Sequence, residues 1–190
     1  FTGYMKKVSE RLEEGKNYLT MCIPNVEIKS IYSYQISSWF DRIKKQTDRS
    51  ELYQAIIDKD EEKIGDYLTD LLEKSISTFD STEGFYHGFF LSLLYEMARY
   101  EAKSNREEGI RRPDIVLYPT RPTYPAYLFE LKVRKKFNEL EGGIQEAFKQ
   151  IRDQRYEEGI LDDGYAGVIS FGVCFCKKSA IVRFYNERSA

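Results

Sequence analysis

The chain has 190 residues, 42% hydrophobic and 32% charged, with 29 Lys and Arg against 31 Asp and Glu for a net charge of −2. That balance supports a packed core and excludes a chain disordered by composition. No apolar run reaches the ~18 residues a membrane-spanning helix needs, which excludes a membrane partner of that kind, and the length suits one domain with a small appendage.

The chain opens on FTGYMKKVSERLEEG, which lacks the apolar core of a signal peptide and does not begin with methionine; it reads as a piece of a longer chain. LTMCIPN follows as a strand closed by a Pro-Asn turn. Ile28, Ile31, Tyr32, Ile36, Trp39, Phe40 and Ile43 then recur at helical spacing, with the aromatics as core. After a polar break at QTDRS, ELYQAIIDKD and EEKIGDYLTDLLEKSI read as two short amphipathic helices, the second with Ile64, Tyr67, Leu68, Leu71 and Leu72 as its stripe.

From residue 81 the pattern changes. STEGFYHGFFLSLLYEMARY reads as a buried helix with a Ser or Thr cap and Glu83 in its first turn. YEAKSNREEG reads as a strand and turn, and PDIVLY and AYLFELKV as strands around a proline-rich loop. FNELEGGIQEAFKQIRDQRYEEGIL reads as one long helix weakened at Gly142 and Gly143. AGVISFGVCFC and SAIVRFYN close the chain as strands joined by KKS. Helix, three strands, helix, two strands is the order of an α/β domain with a mixed sheet. The organisation expected is an N-terminal region 1–45, a helical lead-in 46–80 and a domain 81–190.

Cys22, Cys174 and Cys176 are too few and too odd for a disulfide framework, which favours a reducing, cytoplasmic setting. Cys174 and Cys176 share one strand face and read as small core residues. Charge is uneven along the chain. Residues 1–98 hold 12 Lys/Arg and 17 Asp/Glu, residues 99–136 hold 10 and 5, and residues 137–190 hold 7 and 9. The basic middle segment suits a phosphate-bearing partner.

That segment also holds the chemistry. Side chains alternate along a strand, so Ala126, Leu128, Glu130 and Lys132 share a face, with Glu130 and Lys132 roughly 6.5–7 Å apart. The Leu131 carbonyl lies between them. Pairing of the two strands can bring Asp114 beside Glu130. Two carboxylates and a carbonyl make a hard, all-oxygen site that suits Mg²⁺ or Mn²⁺ completed by water and substrate phosphate. Lys132 could then position or activate an attacking water.

Pro113-Asp114, followed sixteen residues on by Glu130-Leu131-Lys132, resembles the motif of the PD-(D/E)xK nuclease superfamily. FYHGFFLSLL, YEAKSNREEG, RRPDIVL, LFELKV and EAFKQIRDQRY resemble in particular a bacterial branch of nuclease-like domains that follow an AAA-ATPase-like domain, over roughly residues 80–185. FTGYMKK and YLTMCIPNVEIKSIY resemble the tail of the ATPase-side region. The resemblance implies a restriction-endonuclease-like core, a mixed central sheet flanked by helices, behind a mainly helical N-terminal segment. It implies Asp114, Glu130, Glu83 and the Leu131 backbone as ligands of Mg²⁺ or Mn²⁺, Lys132 as the catalytic lysine, and Gln150 as a further catalytic residue on the helix beside the site, with Tyr156 sharing the branch's spacing.

His87, one turn after Glu83, is a candidate supporting group. Arg106, Arg111, Arg112, Arg134 and Lys135 are candidates for nucleic-acid contact, with Arg111 and Arg112 standing where the branch usually carries a glycine-rich turn. The implied partners are nucleic acid, DNA ahead of RNA, and an ATPase-like region in the same full-length chain. Helices in 30–75 are candidate surface for that region or for a homodimer. The alternative is a module on the same fold that binds nucleic acid or a regulatory partner without cutting.

Overall fold

The computed structural model describes residues 6–13, 16–22, 25, 48–75, 82–104 and 112–186. Residues 1–47 and 48–190 are two compact units. In the first, β1 (Lys6–Glu13) and β2 (Lys16–Cys22) pair antiparallel from Lys6↔Cys22 to Glu13↔Lys16, with a bulge between Lys7 and Ser9. The sequence suggests the second strand but not its partner. KKVSERLE carries charge on both faces and satisfies its backbone by cross-strand pairing rather than by burial. Arg11 lies over the Tyr18 ring at 5.4 Å, while Val8, Leu12 and Leu19 are exposed. Trp39 and the helical spacing expected over 26–46 lie outside the described residues.

The second unit begins with α1 (Ser50–Asp58) and α2 (Glu61–Ser75), the two amphipathic helices expected. Ile64, Leu68, Leu71 and Leu72 form the buried stripe of α2. Next come α3 (Glu83–Leu94), β3 (Tyr100–Ser104), β4 (Ile115–Pro119) and β5 (Ala126–Val133). A 3₁₀ turn (Phe137–Glu139), α4 (Leu140–Gln154), α5 (Tyr156–Asp162), β6 (Val168–Cys176) and β7 (Ser179–Phe184) complete it. α3 is capped by Thr82, whose side chain accepts from the Phe85 N–H, as the Ser/Thr signal predicts.

The sheet order is β3-β4-β5-β6-β7, antiparallel except for the parallel β5–β6 pair. That mixed sheet flanked by helices is the restriction-endonuclease-like core. α4 and α5 form the crossover between the parallel strands, as two parallel neighbours require. Their side of the sheet is packed with Val116, Ala126, Leu128, Ile144, Phe148, Tyr156, Cys174 and Cys176. The opposite side is aromatic. Phe90 meets Phe129 edge-on at 5.1 Å, and Tyr86 stacks on Phe175 at 4.7 Å. Each such ring contributes about 1.5–3 kcal/mol by burial.

The expected long helix is not continuous, and its break is not at the glycines. α4 runs through Gly142 and Gly143 and stops at Arg155, which takes a left-handed φ of 52°. Gly143 is present for a different reason. A Cβ there would stand 2.4 Å from Cys174 Sγ, so the bare backbone lets α4 lie close on β6.

α1 and α2 are tied to this core. Arg49 Nη1 donates to the Ser92 carbonyl at 2.9 Å and the Tyr53 hydroxyl donates to the Leu93 carbonyl at 2.9 Å, satisfying acceptors at the end of α3. α2 covers the β7 edge. Glu61 accepts from the Phe184 N–H at 2.7 Å and Thr69 Oγ1 from the Ala180 N–H at 3.0 Å. Those are edge donors that would otherwise be open to another strand.

Candidate active site

The site lies where β4 and β5 part. Their ladder runs Leu117↔Tyr127, Val116↔Leu128, Ile115↔Phe129 and goes no further, while β5 continues to Val133 against β6. Asp114 is the next residue outward on β4, and Glu130 the next on β5, so the register stands them together. Asp114 Oδ2 accepts from the Leu131 N–H at 2.8 Å, taking the place of the missing ladder bond. Within a strand the N–H and C=O of one residue face the same edge. The Leu131 carbonyl therefore also faces the side where Asp114 stands.

Glu130 is 1% exposed. Its Oε1 accepts from Lys132 Nζ at 2.8 Å, and its Oε2 is buried with no partner among the described residues. Lys132, on the same strand face as expected, also donates to Gln150 Oε1 at 2.8 Å. Gln150 Nε2 in turn donates to the Tyr156 hydroxyl at 3.1 Å. This chain of contacts depends on the break at Arg155, which starts a new helix and leaves Tyr156 beside Gln150. Burial, with the Asp114 charge second, pushes the Glu130 carboxyl up to about 7. Burial also raises Asp114, against the Leu131 hydrogen bond and Lys132, which lower it.

His87 is 7% exposed, and its Nε2 lies 3.1 Å from the Asp114 carbonyl and 3.3 Å from Ser104 Oγ. A carbonyl oxygen only accepts, so Nε2 carries the proton. The histidine thus ties α3 to the head of β4 and the end of β3, holding the backbone from which Asp114 projects. Glu83 lies on the first turn of the same helix, and its charge is among those felt at Asp114. Among the described residues no three His, Cys, Asp or Glu side chains converge on one point. Asp114 and Glu130 are the two carboxylates that the sheet register brings together, and Glu83 stands near enough for its charge to act on Asp114.

The expected nucleic-acid contacts divide. Arg112 is exposed, two residues before Asp114, and Lys135 is exposed two residues past the end of β5. Arg134 pairs with Glu146 on α4. Arg106 and Arg111 lie outside the described residues. Sequence reasoning missed Tyr118, Gly159 and Asp163, which line a groove beside the site. No contiguous signal joins them, because they come from β4, α5 and the turn after it.

A family model described as the PD-(D/E)XK nuclease superfamily matches residues 81–185, more than half of the chain. The chain belongs to this superfamily. No curated protein matches it. The matched residues include the whole five-stranded sheet and every residue of the site described above.

The residues present fit the divalent cation that this superfamily generally uses. Glu130 Oε2 is a buried, unpartnered acceptor, and such an atom costs about 1–3 kcal/mol, more when charged. Burial raises the proton affinity of both carboxyls, and the Asp114 charge raises that of Glu130 further, a cost that a cation beside them removes. The donors are all oxygen, the set that suits Mg²⁺ or Mn²⁺.

Proposed function

We propose that this protein is a metal-dependent nuclease that hydrolyses phosphodiester bonds of nucleic acid at the fork between β4 and β5. The observation that carries this reading is the Glu130–Lys132 pair: a buried carboxylate with one oxygen on the lysine and the other without a partner. Asp114, Glu130 and the Leu131 carbonyl would hold Mg²⁺ or Mn²⁺, whose chemistry is to neutralise charge at the phosphate.

Lys132 positions the water that attacks phosphorus and donates to the oxygens on which negative charge grows. The water oxygen bonds to phosphorus and releases a proton to solvent, the bond to the 3′-oxygen breaks, and that oxygen leaves with a proton from solvent. Gln150 gives Lys132 a second acceptor, so the ammonium keeps its place when Glu130 Oε1 is drawn to another cation. Tyr156 accepts from the Gln150 amide and so fixes which end of that amide faces the lysine. His87 sets Asp114 through its carbonyl. The basic segment 99–136 supports a nucleic-acid substrate, and the branch resemblance supports DNA ahead of RNA and an ATPase-like region in the full-length chain, with the N-terminal residues as its tail.

The test is calorimetry with Mn²⁺ on the wild type and on the Asp114→Ala/Glu130→Ala double variant, followed by cleavage assays on DNA and RNA. Binding by the wild type alone, with cleavage that needs the metal, is the expected result. Equal binding by both proteins would remove the carboxylates from the metal site.

A further inference from the structure

Between the head of β4 and α5 runs a groove of about 440 Å³. That is within the range of pockets that take small ligands, ~300–1,000 Å³, and far too small to enclose a duplex. It adjoins the site. Tyr156 forms part of its wall and also receives the Gln150 hydrogen bond, and Arg112 and Pro113 lead directly into Asp114. A ligand in the groove lies beside Tyr156 and next to Pro113, the residue before Asp114.

We propose that this groove holds an unpaired nucleotide next to the scissile phosphate, so that the substrate enters this side of the site as a single strand. The inference rests on the nuclease reading above and adds the substrate class.

The lining supports it. Tyr118 supplies half-buried aromatic surface, while Tyr156, 5% exposed, offers little more than its edge, and Arg112 and Arg155 supply positive charge. Lys103 Nζ stands 5.3 Å from the Tyr118 ring centre. Cations interleaved with aromatic rings are the usual means of holding single strands, whose bases can turn their faces to a ring. Bases in a duplex offer only their edges. Arg155 pairs with Glu158 on the exposed surface, an ion pair of little worth that a phosphate can replace.

Asp163 gives the groove a direction. It lies close enough to the Tyr118 hydroxyl for its charge to be felt there, as does Arg112. A carboxylate repels phosphate but accepts from the N–H groups of a base edge. The base therefore faces Asp163 past Tyr118, and the backbone faces the arginines.

Gly159 lines the groove. A Cβ there would meet nothing within 4 Å. A glycine inside a helix costs about 1 kcal/mol relative to alanine, yet packing gives no reason for one here.

The test is fluorescence anisotropy of a labelled single-stranded DNA oligonucleotide, and of a blunt hairpin duplex of the same sequence, at low salt in EDTA, with the full 190-residue chain. The wild type is expected to prefer the single strand. Gly159→Gln fills the groove while favouring the helix, so weaker binding cannot be blamed on misfolding. It and Tyr118→Leu are each expected to weaken single-strand binding by about tenfold or more. Tyr124→Leu, an exposed tyrosine outside the groove, leaves binding unchanged. Wild-type affinity in the Gly159→Gln and Tyr118→Leu variants, or a wild type that prefers duplex, overturns the inference while metal-dependent cleavage leaves the nuclease reading standing. A wild type that binds neither DNA and cuts neither with Mn²⁺ overturns both.

Discussion

Among the described residues, Arg49 is buried and Lys132 nearly so, and they are used in different ways. Arg49 is 6% exposed and donates to the Ser92 and Leu93 carbonyls at the end of α3. Lys132, with its side chain 13% exposed, donates to Glu130 and Gln150, side chains on β5 and α4. Backbone acceptors cannot turn away, so Arg49 works as a fixed tie between α1 and α3. Side-chain acceptors can change rotamer, so the contacts of Lys132 can be redistributed when a new cation or a phosphate arrives.

The unpartnered atoms differ in the same sense. Arg49 Nε is one leftover donor of a guanidinium whose Nη1 is engaged by two carbonyls, whereas Glu130 Oε2 is half of a carboxylate. A buried charge held by fixed partners suits architecture, and one held by movable partners beside a spare acceptor suits the chemistry proposed for this site.

The largest effect that tests this contrast is kinetic. Lys132→Ala is expected to lower the cleavage rate by about 10²–10⁴-fold with little change in melting temperature, measured with metal in excess. Arg49→Ala is expected to do the reverse. It removes charged hydrogen bonds to backbone acceptors and should cost about 2–4 kcal/mol in urea unfolding, with the rate per folded molecule unchanged at low temperature. A stable Arg49→Ala protein with a crippled rate would erase the distinction.

The pH dependence of stability sharpens it. The Glu130 pKa rises from 4.5 to about 7 on folding, so the folded chain holds a proton that the unfolded chain has released. Its contribution is fully present below pH 4.5 and is lost as pH rises through about 7, with Asp114 adding in the same direction. Without metal, urea unfolding should therefore fall by up to about 3 kcal/mol between pH 4.5 and pH 8, and Glu130→Gln should flatten that slope. A wild-type slope of the opposite sign would mean that Lys132 outweighs burial.

The smallest effect lies away from both cations. Gly143→Ala should cost about 1–3 kcal/mol by overpacking against Cys174, and Cys174→Ala in the same chain should recover most of it. Equal losses in the two backgrounds would place the strain elsewhere.

Much of the candidate site is legible in the chain. Asp114, Glu130 and Lys132 stand out because β5 is otherwise an unbroken apolar run, where a glutamate is conspicuous, and because alternation puts Glu130 and Lys132 on one face. The bounds of β5 are those of AYLFELKV itself. The helix beyond it is read less well. Glycine suggests a break at Gly142 and Gly143, but the break falls at Arg155, where local preference offers no sign of a left-handed residue. β1 is illegible for a related reason. An exposed hairpin strand has no buried face, and so carries no period-two pattern to read.

By itself, then, the sequence determined the elements and the identity of the charged residues, because periodicity, capping and apolar runs are written in contiguous residues. Only the tertiary structure decided what those residues meet. The register that stops at Ile115 and Phe129, the unpartnered oxygen of Glu130, the proton of His87 on Nε2 and the groove lined from β4 and α5 all join groups far apart in the chain. Burial and hydrogen bonding depend on distance in space, and that distance exists only after the sheet has paired and the helices have packed on it.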